Sequence, residues 1–121
     1  MKKYLVIGNP VEHSLSPKIH NYWIKENNIN AIYDKKKLSQ DELQNIISEV
    51  KEEKINGINV TVPFKKSVIP FLDELSLESK KTQSVNTIYS QEGKTIGHNT
   101  DIAGFELSIK FLKYDVADKK I

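Results

Sequence analysis

The chain has 121 residues, of which 38% are apolar and 28% charged, enough to enclose one hydrophobic core and too few for two. No apolar run approaches the roughly 20 residues that cross a bilayer, and with no cysteine, disulfides and thiolate metal sites are excluded and nothing points to secretion, so a cytoplasmic location and no membrane partner are expected. A net charge of +2 is too small to argue for nucleic acid, and Lys35-Lys36-Lys37, without interleaved aromatics, reads as a solvated strand end.

Met1 to Gly8 is charged and then apolar, but the apolar part is too short for a signal peptide and Asn9-Pro10 interrupts it, so residues 3–8 are predicted as a first buried strand. Ser16-Pro17 predicts a helix start, with serine as the N-cap and proline at the first helical position. Ile19, Tyr22 and Trp23 form that helix's apolar, core-facing side, and Asn27-Asn28 ends it. Residues 31–38 suit a second strand. Ser39-Gln40-Asp41-Glu42 has the capping-box pattern, and Leu43, Ile46, Ile47 and Val50 give the following helix a clean apolar stripe. Residues 57–62, rich in β-branched side chains, read as a third strand. Pro63 ends it and opens another helix, with Val68, Ile69, Phe71 and Leu72 inward. Residues 76–83 are weakly helical, and 85–90 with 94–98 predict a hairpin around Gln91-Glu92-Gly93. Asp101 begins a last helix, with Ile102, Phe105, Ile109 and Leu112 on one side. Strands alternating with helices predict a three-layer α/β/α open sheet, mostly parallel, with one antiparallel strand.

In open sheets of this kind, ligands bind beyond the carboxyl ends of the strands. Three polar stretches fall at or near such ends: Asn9 to Pro17, Asn59 to Lys65, and Asn86 with Asn99-Thr100-Asp101. Their hydroxyls, amides, one ammonium and one carboxylate suit a small polyhydroxylated carboxylic acid. Ser14 and Ser16 beside the unpaired N–H groups of a helix start would cradle a carboxylate; a capping Ser16 and a turn-forming Ser14 account for them equally well. Asn59 and Thr61 are two apart and share a strand face, where either a ligand's hydroxyls or neighbouring backbone would satisfy them, and Asn86 is open to the same two readings. Lys65, in the first turn of the helix after Pro63, is electrostatically unfavourable there, and Asp101 is by default an N-cap. Both follow strands in the same topological position, however, and would then face each other across the crevice. His13, His20 and His98 share no metal-ligand spacing, Tyr22 and Trp23 read as core, and the five glycines never form Gly-x-Gly-x-x-Gly, so a dinucleotide fingerprint is absent.

Four linked motifs, in order and spacing, resemble the shikimate dehydrogenase family over nearly the whole chain: Gly8-Asn9-Pro10-Val11-Glu12-His13-Ser14-Leu15-Ser16-Pro17-Lys18-Ile19-His20-Asn21, Asn59-Val60-Thr61-Val62-Pro63-Phe64-Lys65, Val85-Asn86-Thr87, and Gly97-His98-Asn99-Thr100-Asp101 with Gly104. The resemblance implies reversible NADP-dependent reduction of 3-dehydroshikimate to shikimate, in aromatic amino-acid biosynthesis. Ser14 and Ser16 would hold the substrate carboxylate, Asn59, Thr61, Asn86 and Asp101 the ring hydroxyls, and Lys65 with Asp101 would form the catalytic pair. A lysine of ordinary pKa, about 10.4, is a ready acid for the oxyanion that hydride addition creates but a poor base near neutrality, which leaves both Lys65 alone and the Lys65–Asp101 pair as a unit as carriers of the proton. Two positions depart from the family pattern: Gln83-Ser84 stands where Gly-Ala often precedes Val-Asn-Thr, and Leu77 stands where an acidic residue sometimes faces the cofactor.

The resemblance further implies that residues 1–113 are the substrate-binding and catalytic domain, and that 114–121 link to the opening strand of a Rossmann domain. NADP would bind to that second domain, not to this chain. Family members pack C-terminal helices back on the first domain, so the chain by itself is expected to expose apolar surface and self-associate. The alternatives are a non-catalytic module that binds a hydroxy acid and a relative acting on quinate.

Overall fold

The computed structural model describes residues 1–100; the predicted last helix, Asp101 itself and the linker 114–121 lie outside the described residues. Among the described residues, β1 (Lys2–Gly8), β2 (Ala31–Lys37), β3 (Gly57–Val60), β4 (Glu74–Leu75), β5 (Thr87–Gln91) and β6 (Lys94–His98) make one sheet in the order β2-β1-β3-β5-β6-β4. β1 pairs in parallel with β2 and β3, β4 pairs in parallel with β6, and β5 runs antiparallel to both its neighbours. The sheet is therefore mostly parallel with one reversed strand, as expected. The helices are α1 (Ser16–Glu26), α2 (Leu43–Lys51) and α3 (Leu77–Thr82).

Alternation along the strands divides the sheet into two unlike faces. Leu5, Ile7, Ile58, Val60 and Ile88 point to one side and meet Leu43, Ile46, Ile47 and Val50 of α2, with Phe64, Val68 and Val85 completing the cluster. Each such side chain contributes roughly 1.5–3 kcal/mol on full burial. The expected helix start at Ser39 is a 3-10 turn, Gln40–Glu42, that leads into α2: Ser39 N–H donates to Glu42 Oε1 at 2.9 Å, the backbone half of a capping box that closes this turn, and α2 itself begins at Leu43. Val6, Asn59 and Thr87 lie in register on the other face, which carries the polar groups described below.

α1 lies along the sheet's outer edge. The Asn21 carboxamide donates to Tyr33 O at 2.7 Å and accepts from Tyr33 N–H at 2.9 Å, so it pairs edge-strand backbone that no further strand among the described residues covers. The expectation that Tyr22 and Trp23 are core is corrected: they are 62% and 56% exposed, and α1 buries no residue. Because the polar pair His20 and Asn21 makes the contact with β2, the next two residues turn outward. The helix predicted after Pro63 is also absent; that stretch is a series of turns ending in a short 3-10 turn, Ile69–Phe71. Pro70 explains this, since it removes an N–H and limits any helix from Pro63 to less than two turns. Val68 is buried nonetheless. β4 was not anticipated, being two residues long. The hairpin turns at Glu92 and Gly93, both with positive φ (51° and 77°), the geometry of a two-residue type I′ connection.

Candidate functional site

The carboxyl ends of β1 and β3 and the amino end of β5 meet at one rim of the sheet, because β5 alone runs the other way. Backbone bonds join the segments there. Asn9 N–H donates to Val62 O and Thr61 N–H to Ile7 O, each at 3.0 Å, while Val60 N–H donates to Asn86 O and Val85 N–H to Lys65 O, each at 2.8 Å. Asn86 N–H donates to His98 O at 3.0 Å. The last two bonds fix the two residues that lead into the reversed strand, so Lys65 and Asn86 are positioned by the same short segment.

A cleft of about 390 Å³ opens at this rim, and Ser14, Ser16, Asn59, Thr61, Lys65 and Asn86 all line it, together with Val6, Val11 and His13. Six of the seven side chains singled out from sequence are thus brought together, and the seventh, Asp101, lies outside the described residues. Two local readings change. Ser16 is inside α1 rather than its cap; Leu15 holds the cap position without a side-chain bond, and Ser14 Oγ accepts from Ser16 N–H at 3.3 Å. Lys65 sits in a turn, not a helical first turn, so no helix dipole opposes its charge. Thr61 lies one residue past β3 and still reaches the cleft beside Asn59.

The two carboxamides have defined orientations. Asn86 Oδ1 faces Thr100 N–H at 3.0 Å, a group that only donates, so the atom there is oxygen; the Thr87 and Thr100 hydroxyls also donate to it, at 3.0 and 3.2 Å. Asn59 turns its nitrogen to Asn86 O at 3.4 Å, a group that only accepts, and to Thr87 Oγ1 at 3.3 Å. Its oxygen accepts from the Tyr33 hydroxyl at 2.7 Å. Burial pushes the Tyr33 phenol up to about 12, against a smaller opposing hydrogen bond from Ser16, so at neutral pH it remains a donor. Sequence reasoning missed Tyr33, because a tyrosine in a strand carries no local signal of what its hydroxyl will touch two strands away. On the cleft's approach, Glu12 is held below the usual carboxylate range chiefly by its own backbone N–H, with Lys37 and Val11 N–H adding to the effect.

Chemically, the polar lining of the cleft is hydroxyls, carboxamides, one histidine and one lysine. That set reads hydroxyls and a carboxylate. Among the described residues no glycine opens a backbone cradle for a dinucleotide's phosphates. Gly8, Gly57 and Gly97 are each crowded by a neighbouring side chain within 3.0 Å of where a Cβ would stand, so none leaves an open backbone cradle, and Gly93 sits at a hairpin tip with no helix after it among the described residues. Among the described residues no cluster of His, Cys, Asp or Glu suits a metal ion, and no helix is long and apolar enough to cross a membrane.

A mixed open sheet with its polar cleft at the strand ends defines an α/β domain that binds a small polar ligand. The family described as shikimate dehydrogenase substrate binding domain matches residues 6–88, and the chain belongs to it. Shikimate dehydrogenase (NADP(+)) of Pelagibacter ubique is 57% identical over 98% of this chain and 45% of its own length. The enzyme of the same name from Pyrococcus furiosus is 48% identical over 97% of this chain and 43% of its own. The crystal structure of the Thermus thermophilus shikimate 5-dehydrogenase in complex with shikimate superposes with a TM-score of 0.85, at 33% identity, over 91% of this chain and 42% of that one. The chain thus spans less than half the length of these relatives.

Proposed function

We propose that the chain is the substrate-binding and catalytic part of a cytoplasmic, NADP-dependent shikimate dehydrogenase, which reversibly reduces 3-dehydroshikimate to shikimate. The observation that carries this reading is the convergence of six polar side chains from three separate sequence segments on one cleft in a member of this family. Residues 1–113 form the substrate domain, and 114–121 lead toward a region that holds the cofactor.

The hydride for such a reduction comes from NADPH, for which the described residues provide no cradle, so this chain's own share is to bind the ring and deliver a proton. Ser14 and Ser16 hold the carboxylate at the start of α1. Asn59, Thr61, Asn86 and Asp101 take the ring hydroxyls. As the carbonyl oxygen gains negative charge, the Lys65 ammonium stabilises it and gives it a proton, becoming the neutral amine; Asp101 pairs with Lys65 and orients it. In the reverse direction the amine removes the alcohol proton.

The test is shikimate-dependent NADP+ reduction by the full-length gene product, with quinate alongside. Activity with neither acid overturns the reading, and activity with quinate alone moves it to a different substrate. The exposed Leu15, Ile19, Tyr22 and Trp23 along α1 support self-association of the 121-residue chain by itself; sedimentation as a monomer at high concentration would refute this.

A further inference from the structure

Tyr33 is 5% exposed and absent from the cleft wall, yet it touches both halves of the site. Its ring stacks on His20, with centroids 4.2 Å apart and planes 8° from parallel. His20 Nδ1 is 2.8 Å from Ser16 O in α1. The phenol crosses above β1 and donates to Asn59 Oδ1 at 2.7 Å. Asn59 has one other constraint, the two longer bonds from its nitrogen at 3.3 and 3.4 Å. Asn86 O, which only accepts, fixes the nitrogen end, and the short bond from Tyr33 holds the oxygen end in place.

We propose that Tyr33 is a positioning residue for ligand discrimination: its phenol, held flat against His20 and bonded to Asn59, holds the Asn59 carboxamide at the place and angle from which it meets a ring hydroxyl. The inference rests on the reading that the cleft binds a cyclic hydroxy acid. A carboxamide released at its oxygen end can swing about its side-chain torsions, and a ligand hydroxyl placed against that wall then meets a misaligned partner. Tyr33 acts through Asn59 and does not itself touch the ligand.

Tyr33→Phe in the full-length gene product tests this, because it keeps the ring and its stacking on His20. Shikimate binding should weaken about tenfold, the scale of one charge-neutral bond lost inside a site. In an Asn59→Ala background the same change should alter the dissociation constant clearly less than in the wild type, since only the contact with the Ser16 hydroxyl is left to carry it. Independently of any ligand, the Asn59 side-chain amide protons should show a nuclear Overhauser contact to Thr87 in the unliganded wild type that weakens in Tyr33→Phe. Unchanged affinity and an unchanged contact in Tyr33→Phe overturn the inference alone, as does a tenfold effect that persists without Asn59. A wild-type protein that does not bind shikimate overturns the reading of the cleft and this inference with it.

Discussion

Replacing Gly8 by alanine should both destabilise the domain and impair the cleft. Gly8 ends β1, and a Cβ there would stand 2.4 Å from Thr61 Cγ2, 2.8 Å from Val11 Cγ1 and 3.0 Å from Val62 O. Carbon atoms in contact sit at about 3.5–4.0 Å, so Thr61 must give by roughly 1 Å. Its backbone has little freedom to do so, because its N–H holds Ile7 O and its carbonyl accepts from Phe64 N–H, both at 3.0 Å. The side chain rotates instead and takes its hydroxyl out of the cleft. Overpacking of this kind costs about 1–3 kcal/mol, equivalent to about 4–12 °C in melting temperature for a domain of this size. The control is Gly93→Ala, at the hairpin tip, where nothing lies within 4 Å but φ is +77°; it should cost about 1–2 kcal/mol from backbone strain alone and leave ligand affinity as it was. Thermal melts and shikimate titrations of both variants check the contrast. A Gly8→Ala protein that melts and binds like wild type would refute the packing argument.

Lys65→Met in the full-length gene product should lower turnover by about 10²–10⁴, the range for a positioned general acid, with a smaller change in KM; unchanged turnover removes Lys65 from the proton transfer. Asn21→Ala, which strips both hydrogen bonds from Tyr33 backbone at the sheet edge, should cost about 1–3 kcal/mol in urea denaturation, and Asn21→Asp should not restore it, since a carboxylate faces the Tyr33 carbonyl. Asp73 is held below its ordinary value of 3.8 chiefly by Thr95 N–H, with Lys51 and the Thr95 hydroxyl assisting. A depressed carboxylate contributes stability above the unfolded pKa and loses it as pH falls through the folded one, so the contribution disappears below about pH 4. Asp73→Asn should then flatten the fall in urea midpoint between pH 5 and pH 3, and equal falls in both proteins would count against it.

Much of this was legible in the residues because local and global signals agree. The stripe of Leu43, Ile46, Ile47 and Val50 behind a capping box could hardly be anything but a core helix, and Glu92-Gly93 between two β-rich runs could hardly be anything but a tight turn. Reading failed where a local pattern was overruled. Ile19, Tyr22 and Trp23 have helical spacing, but whether a helix turns its apolar or its polar side to the sheet depends on the neighbouring strand, and here Asn21 and His20 claim that contact. The helix expected after Pro63 failed for a reason present in the sequence, namely Pro70. That six of the candidate residues line one cleft was legible because the strand ends carrying them fall on the same rim of an open sheet. Tyr33 was not, because its part in the site depends on the register of three strands.

The reversed strand also divides labour between the two ends of the sheet. Since its amino end forms part of the cleft rim, its carboxyl end and the two-residue turn after it lie a full strand length from the cleft. Glu92, exposed at that tip, is accordingly a place to attach a fluorophore or a surface tether without disturbing what the opposite rim recognises.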